Sequence, residues 1–275
     1  MPLRHTPAYT LRHYALGEAD LIVVFYTLAF GRVRGVARGA RRVRSRFGSA
    51  FQPFTRSDLV FFEKEGRELT RVSACEVDRS YYESLLTPES AALAAYFAEL
   101  VMEFNVERDP NPKLFRLIGA VLGAIEQGTP LAVAARYFEV WVLQLSGLLP
   151  LLSTCGNCGK ALEAERWVVP HPQEFVCRQC RRQFGGSRML SAAGTALLMD
   201  ILRQKPQEVA AGAGRNAQAV RRLAAVNRYL IRGHIDKELR SVRYLERLRR
   251  GTRRLRRQAV AASSRGPVPV STVDS

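Results

Sequence analysis

Between Asp20 and Asp58 the chain has no aspartate or glutamate, and within that gap seven arginines fall in fifteen positions. An ordinary solvated surface mixes both signs of charge, so the missing acids argue against one here. Long apolar runs are missing too. Leu131 to Leu152 is broken by Arg136 and Glu139, and Leu21 to Phe30 is only ten residues long, so no membrane span is expected. The opening MPLRHTPAYTLRHY lacks the apolar core of a secretory signal, which makes the expected location cytoplasmic. No P-loop, no G-x-S-x-G and no H-E-x-x-H occurs. The four histidines, His5, His13, His171 and His234, are scattered without recognisable partners. These absences predict a binding protein, not an enzyme.

What is present is positive charge, unevenly spread. The 275 residues carry a formal charge of +17. Residues 1–80 hold 14 basic and 8 acidic residues, and residues 81–154 hold 4 and 8. Residues 155–190 hold 6 and 3, and residues 191–275 hold 18 and 6. A mildly acidic middle between basic ends suits a protein-facing centre flanked by surfaces for a polyanion.

The arginines of the gap are Arg32, Arg34, Arg38, Arg41, Arg42, Arg44 and Arg46. Six of them share even parity, so extended strands would send them out by one face, with Val33, Ala37 and Val43 turned to a core. Gly31, Gly35 and Gly39 permit bends and close backbone approach. Arginines this dense repel one another until a polyanion neutralises them, and a nucleic-acid backbone is the obvious one. All seven are therefore candidate nucleic-acid-binding residues. Phe47 beside them either stacks on a base or fills a core, and core packing is favoured.

Residues 1–80 read as all-β. LIVVFYT is β-branched and aromatic, GRVRGVAR alternates, and DLVFFEKEGRELTRVSACEV gives two strands around Glu65 and Gly66. About five short strands with a basic pair fit a small closed barrel such as the OB-fold, although an SH3-like barrel would give a similar pattern. Helices follow. Thr87, Asn111 and Thr129 each precede a proline, which pairs a capping side chain with a preset first helical position. Behind them Leu93, Phe97 and Leu100, then Leu114, Ile118 and Val121, then Phe138, Trp141 and Leu145 keep the helical period. Ser191 should cap a further helix to about Arg203, with others over 216–232 and 234–256. In the last of these Ile235, Leu239, Val242, Leu245 and Leu248 mark a buried stripe, with Arg240, Arg243, Arg247 and Arg250 displaced from it.

Cys155 and Cys158 form one C-x-x-C pair and Cys177 and Cys180 a second, at a zinc-ribbon spacing. Gly156 and Gly159 ease the first knuckle, and a hairpin of ERWVV and EFV around His171 would bring the pairs together. Disulfides are improbable in a cytoplasmic chain, so one structural Zn²⁺ per chain is expected on these four thiolates. Four thiolates close the coordination shell and leave no open catalytic position. Arg178, Arg181 and Arg182 beside the second knuckle would favour thiolate. Cys75, the odd thiol, reads as a small buried hydrophobe.

The predicted class is thus α+β. An N-terminal OB-fold β-barrel (1–80) precedes a helical domain whose first part (81–154) is followed by an inserted four-cysteine, zinc-ribbon-like knuckle (155–186). The basic C-terminal part of the helical domain (187–257) and a disordered tail (258–275) complete the chain.

The order and wording of these parts resemble the RecO family of bacterial DNA-repair proteins, over nearly the whole chain to about Leu248. The resemblance rests on GEADLIVVFYT (17–27), GRVRGVARGARRVRSRFGSAFQPF (31–54), NPKLFRLIGAVL (111–122), the two cysteine pairs and ELRSVRYL (238–245). It implies an OB-fold, a helical domain and a zinc knuckle, in a recombination mediator that binds single- and double-stranded DNA and anneals complementary strands. It also implies partnership with RecR and single-stranded-DNA-binding protein in loading RecA. Some members lack the zinc cysteines, so zinc would support the fold. The basic stretch Arg247 to Arg257 departs from the family pattern. The resemblance further suggests that an acidic, apolar-ended tail of single-stranded-DNA-binding protein docks on the helical region. Lys113 and Arg116 beside Phe115 are the candidate dock, against the plainer reading of two solvated charges near a core aromatic. The residues alone also admit an OB-fold RNA-binding or transcription-associated zinc protein, or an adaptor whose charge serves solubility.

Overall fold

The computed structural model describes residues 2–247, apart from Lys64, Glu65, Arg67, His171, Asp236, Lys237 and Glu246. Five strands, β1 (Leu3–Leu16), β2 (Asp20–Thr27), β3 (Gly31–Ala37), β4 (Arg56–Phe62) and β5 (Leu69–Arg79), close in the order β1-β2-β3-β5-β4. β1 returns to pair with β4, and the β3–β5 pair is parallel while the others are antiparallel. This closed five-stranded Greek-key arrangement is that of the OB-fold. The two-residue period expected of the sequence is visible in it. Val23, Phe25, Val33, Leu59 and Phe61 fill the barrel, whereas Val24 and Tyr26 on the same strand face outward into a second core. At Gly35 the parallel neighbour comes so close that a Cβ would lie 2.7 Å from the Val72 side chain. Cys75 lies in the barrel core as expected, where burial pushes its thiol up to about 11 despite a 3.1 Å hydrogen bond to Ser57.

Three helices follow: α1 (Pro88–Phe104), α2 (Pro112–Glu126) and α3 (Leu131–Leu145). Thr87 caps α1 through the Ser90 amide, and Asn111 caps α2 through the amides of Lys113 and Leu114. Such caps are worth about 1 kcal/mol each. Thr129 does not cap α3, which starts one residue after Pro130. Its backbone N–H donates to the Ala124 carbonyl and that of Gly128 to Ile125, with Gly128 at φ +87°. That is a Schellman ending, so Thr129 closes α2 and is not free to open the next helix.

Beyond α3, β6 (Arg166–Val168) is flanked by β7 (Phe175–Val176) and by an unforeseen β8 (Arg188–Leu190). Then come α4 (Ala192–Arg203), capped by Ser191, a short α5 (Pro206–Ala211), and α6 (Ala217–His234), capped by Asn216. Residues 240–245 are helical again. Ile235 and Leu239 are buried and Val242 and Leu245 pack against the core, as their stripe requires. Leu248, Arg250 and the tail 258–275 lie outside the described residues.

The two charges that interrupt the apolar run of α3 sit inside the helical core. Arg136 pairs with Glu139, which also accepts from the Tyr96 hydroxyl (3.0 Å, from α1) and the Asn227 amide (3.0 Å, from α6). A buried ion pair is tolerated when its remaining lone pairs are taken up in this way. The helical core continues without a break onto the outer face of the barrel. Tyr9 of β1 packs on Phe115 of α2 with ring centroids 4.8 Å apart, and Tyr26 of β2 accepts a hydrogen bond from the Asn111 amide. No helix among the described residues is long and apolar enough to cross a membrane.

Candidate nucleic-acid interface and metal centre

The OB-fold commonly binds oligonucleotides on the outer face of strands 2 and 3 and on the loops that border it. Here the helices cover much of that outer face. Gly31 opens β3 at φ +60°, and a Cβ there would overlap the backbone of Asp109, which crosses directly above it. The segment that follows α1 is thereby laid along β3. Arg32 donates through Nη1 to the Met102 carbonyl, and the Arg108 amide donates to the Arg32 carbonyl at 3.2 Å. Arg34 bridges Glu107 and Glu68, each at 3.1 Å. The first two arginines of the series therefore leave the strand by one face, as their parity requires, and are met there by the protein's own groups.

The remaining five do not continue the strand. β3 ends at Ala37, and residues 38–55 form a connection of successive turns, so the parity argument holds for Arg32 and Arg34 alone. Val33 and Ala37 are buried as expected, but Val43 is fully exposed at the tip, away from any core. The connection is nonetheless well anchored. Gly39, at φ +70°, donates its amide to the Asp20 carboxylate at 2.8 Å. The Arg41 amide donates to the Ala19 carbonyl and its guanidinium to the Gly17 carbonyl, both at 2.9 Å. Phe47 and Phe51 plug the barrel core with centroids 4.9 Å apart, which settles Phe47 as a packing residue. Arg38, Arg42, Arg44 and Arg46 stand exposed between these anchors, with Arg46 lying over the outer face of the Phe47 ring at 4.9 Å. The connection thus presents arginines from a fixed backbone against the β1–β2 turn, at the rim of the barrel.

One further exposed arginine near this end of the barrel's first strand pair escaped the sequence reading. Arg12 on β1 is exposed and lies over the Tyr14 ring at 5.4 Å. A single arginine between Leu11 and His13 gives no pattern to find. In the acidic middle, Lys113 and Arg116 are exposed on α2, while Phe115 between them is buried against Tyr9. That aromatic belongs to the core and is not offered to a partner.

The four cysteines of the two knuckles converge, their sulfur atoms all lying within 4.8 Å of one another. Cys155 and Cys180 are buried and Cys158 is exposed. Backbone bonds shape the first knuckle: the Cys155 amide donates to the Lys160 carbonyl, and that of Gly159, at φ +71°, donates to Cys155. Gly156 is needed for a different reason, since a Cβ there would overlap the Glu174 carboxylate. Burial would raise the Cys155 thiol, but the amides of Cys177, Cys158 and Asn157 point at the sulfur and lower it to about 6. Backbone amides supply this effect. Of the arginines expected to do so, Arg181 instead stacks over Trp167 at 4.9 Å. Trp167, Val169 and Val176 form the small core beneath the cluster, on the expected hairpin of β6 and β7. His171 lies outside the described residues. Four thiols gathered with nothing else in the donor set fit a closed, structural metal site.

Comparison with known proteins agrees with this architecture. The family described as "Recombination protein O N terminal" matches residues 1–81, and that described as "Recombination protein O C terminal" matches residues 85–243. The DNA repair protein RecO of Koribacter versatilis is 33% identical over 249 residues, covering 90% of this chain and 99% of that protein. That of Syntrophus aciditrophicus is 31% identical over 249 residues, covering 89% and 96%, and that of Pelotomaculum thermopropionicum is 31% identical over 247 residues, covering 90% and 95%. With an OB barrel, the helical domain behind it, a four-cysteine cluster and relatives matched nearly end to end, the chain belongs to the RecO family of DNA repair proteins.

Proposed function

We propose that the chain is a recombination mediator. It binds single- and double-stranded DNA through the arginine connection at the barrel rim, anneals complementary strands and helps RecR load RecA, with no catalytic step of its own. One observation carries the reading: Arg38, Arg42, Arg44 and Arg46 are exposed on a backbone anchored to the β1–β2 turn, in a stretch without a single acid. Such a surface meets a phosphate backbone without base readout, which suits a protein that must handle any sequence. Arg32 and Arg34 serve mainly to fix β3 beneath it. The cysteine cluster holds one Zn²⁺ and supports the fold.

Lys113 and Arg116 offer cations to an acidic segment of a partner, single-stranded-DNA-binding protein in this reading, without Phe115 as an anchor. The protein works in the cytoplasm on the nucleoid. The deciding experiment is annealing of complementary strands coated with single-stranded-DNA-binding protein. The chain should accelerate it, and an Arg38→Glu/Arg42→Glu variant should not. A rate equal to the uncatalysed one would sink the mediator reading. Equal acceleration with matched RNA would favour an RNA-directed role.

A further inference from the structure

A cavity of about 530 Å³ opens where the barrel, α1 and the C-terminal helical segment meet. Its size is that of a small-molecule site, ~300–1,000 Å³. Leu11 of β1 and Ala95 and Met102 of α1 make an apolar floor. Tyr82 and Tyr244, each about half exposed, stand at its mouth, one from the turn before α1 and the other from the C-terminal segment. Arg12 and Arg240 add exposed cations from the barrel and the C-terminal segment. Among the described residues that line it, Glu99 is the one carboxylate, and it is occupied by the amides of Arg240 and Ser241.

The position of this cleft links it to the arginine connection. The chain that carries Arg38 to Arg46 runs on through the barrel plug to Gln52 and Pro53, which form part of the cleft wall. The wall is held in place. His13 Nδ1 donates to the Phe51 carbonyl at 3.1 Å, and Phe54, at φ +58°, turns the chain back to the barrel with its amide on Thr10. One connection therefore bears a phosphate-facing surface at one end and borders an apolar, tyrosine-flanked cleft at the other.

We infer that this cleft receives unstacked bases of a single DNA strand whose phosphates lie on the arginine connection. The inference rests on the DNA-binding reading of that connection. Tyrosine rings and an apolar floor suit the faces of a base, and Arg12 and Arg240 suit the adjoining phosphates. A duplex keeps its bases stacked and paired and has none to offer, so the cleft favours single strands and leaves duplex binding to the arginines.

The test compares two labelled strands of roughly 15 nucleotides, oligothymidylate and an abasic strand of equal length, by fluorescence anisotropy with the full chain. The chain should bind the thymidylate about tenfold or more tightly than the abasic strand, as one or two stacked bases would give. Tyr82→Ala/Tyr244→Ala should bring that ratio close to one, and so should Ala95→Glu, which puts a carboxylate on an exposed position of the floor. Arg38→Glu/Arg42→Glu should weaken both strands and keep the ratio. If it leaves both affinities unchanged, the arginine reading fails, while the ratio still decides the cleft. A ratio of one in the unaltered chain overturns the inference. A ratio preserved in the tyrosine and Ala95 variants, folded by thermal melting, does so as well. Loss in those variants of binding to a labelled acidic peptide with an apolar C-terminal residue, the base-dependent ratio staying intact, would make the cleft a peptide site and also overturn it.

Discussion

Glu99, on α1, accepts hydrogen bonds from the backbone amides of Arg240 (3.1 Å) and Ser241 (2.9 Å) and from the Ser241 hydroxyl. A carboxylate some 140 positions away in sequence thus caps the first turn of the C-terminal helical segment. An anion at a helix N-terminus is favoured by the aligned amides as well as by the bonds themselves. Because Glu99 is nearly buried, it needs these partners as much as they need it.

Glu99→Ala should therefore release residues 240–245 from α1 at a cost of about 1–3 kcal/mol. Hydrogen exchange resolves the effect, with protection falling at the Arg240 and Ser241 amides first while that of α3 is kept. Protection unchanged at those two amides would show that apolar packing alone holds the segment.

Gly31→Val should be among the most damaging single changes in the barrel. A left-handed φ costs a side-chain-bearing residue about 1–2 kcal/mol, and the overlap with Asp109 adds to that. Denaturant unfolding should show a loss above about 3 kcal/mol. Gly66→Val, at φ +74° with open space around its missing Cβ, should lose only the conformational part. Equal losses at the two positions would mean that the Asp109 backbone yields.

What the sequence made legible was local chemistry. The caps of Thr87, Asn111 and Ser191, the alternation of Val23 and Phe25 and the two cysteine pairs each act within a few residues, and each appears where its spacing puts it. Thr129 misled because its role depends on how α2 ends. The parity of residues 38–46 misled because turns can repeat a strand-like alternation without any pairing partner. Two partners of Arg32 and Arg34, Met102 and Glu107, lie about seventy residues on, and only the docking of the helices reveals them. The tyrosine-flanked cleft joins residues from both ends of the chain and has no linear signature at all.

The division of labour among the arginines is open to measurement. Arg38→Glu/Arg42→Glu should weaken single-strand binding strongly and leave the melting temperature nearly unchanged, since both side chains are exposed. Arg34→Ala removes two part-exposed ion pairs, worth at most ~1 kcal/mol each after screening, and should lower stability slightly with little change in DNA affinity. If about six phosphates are neutralised, log K should fall against log salt with a slope near −4. A flat salt response would sink the phosphate-binding reading, and a larger affinity loss for Arg34→Ala than for the double variant would move the interface to β3.

The cysteine cluster makes the last prediction. Chain purified without chelator should carry one zinc, bound with on the order of 10 kcal/mol of apparent free energy. Cys158→Ser leaves the other three thiols in place but opens the shell, so residues 153–186 should become protease-sensitive while DNA affinity drops less than stability. Metal binding requires thiolates, and the Cys155 amide cradle keeps that sulfur ionised down to about pH 6. A thiol lowered from its ordinary value stabilises the folded cluster as pH rises above that point and loses the effect as pH falls through it. Zinc affinity should accordingly weaken as pH falls, most steeply once pH drops below about 6 and the Cys155 thiolate takes up its proton as well, read by competition with a colorimetric chelator. Metal content near zero at pH 7.5, or a Cys158→Ser chain as protease-resistant as the original, would show that the four thiols need no ion to hold their fold.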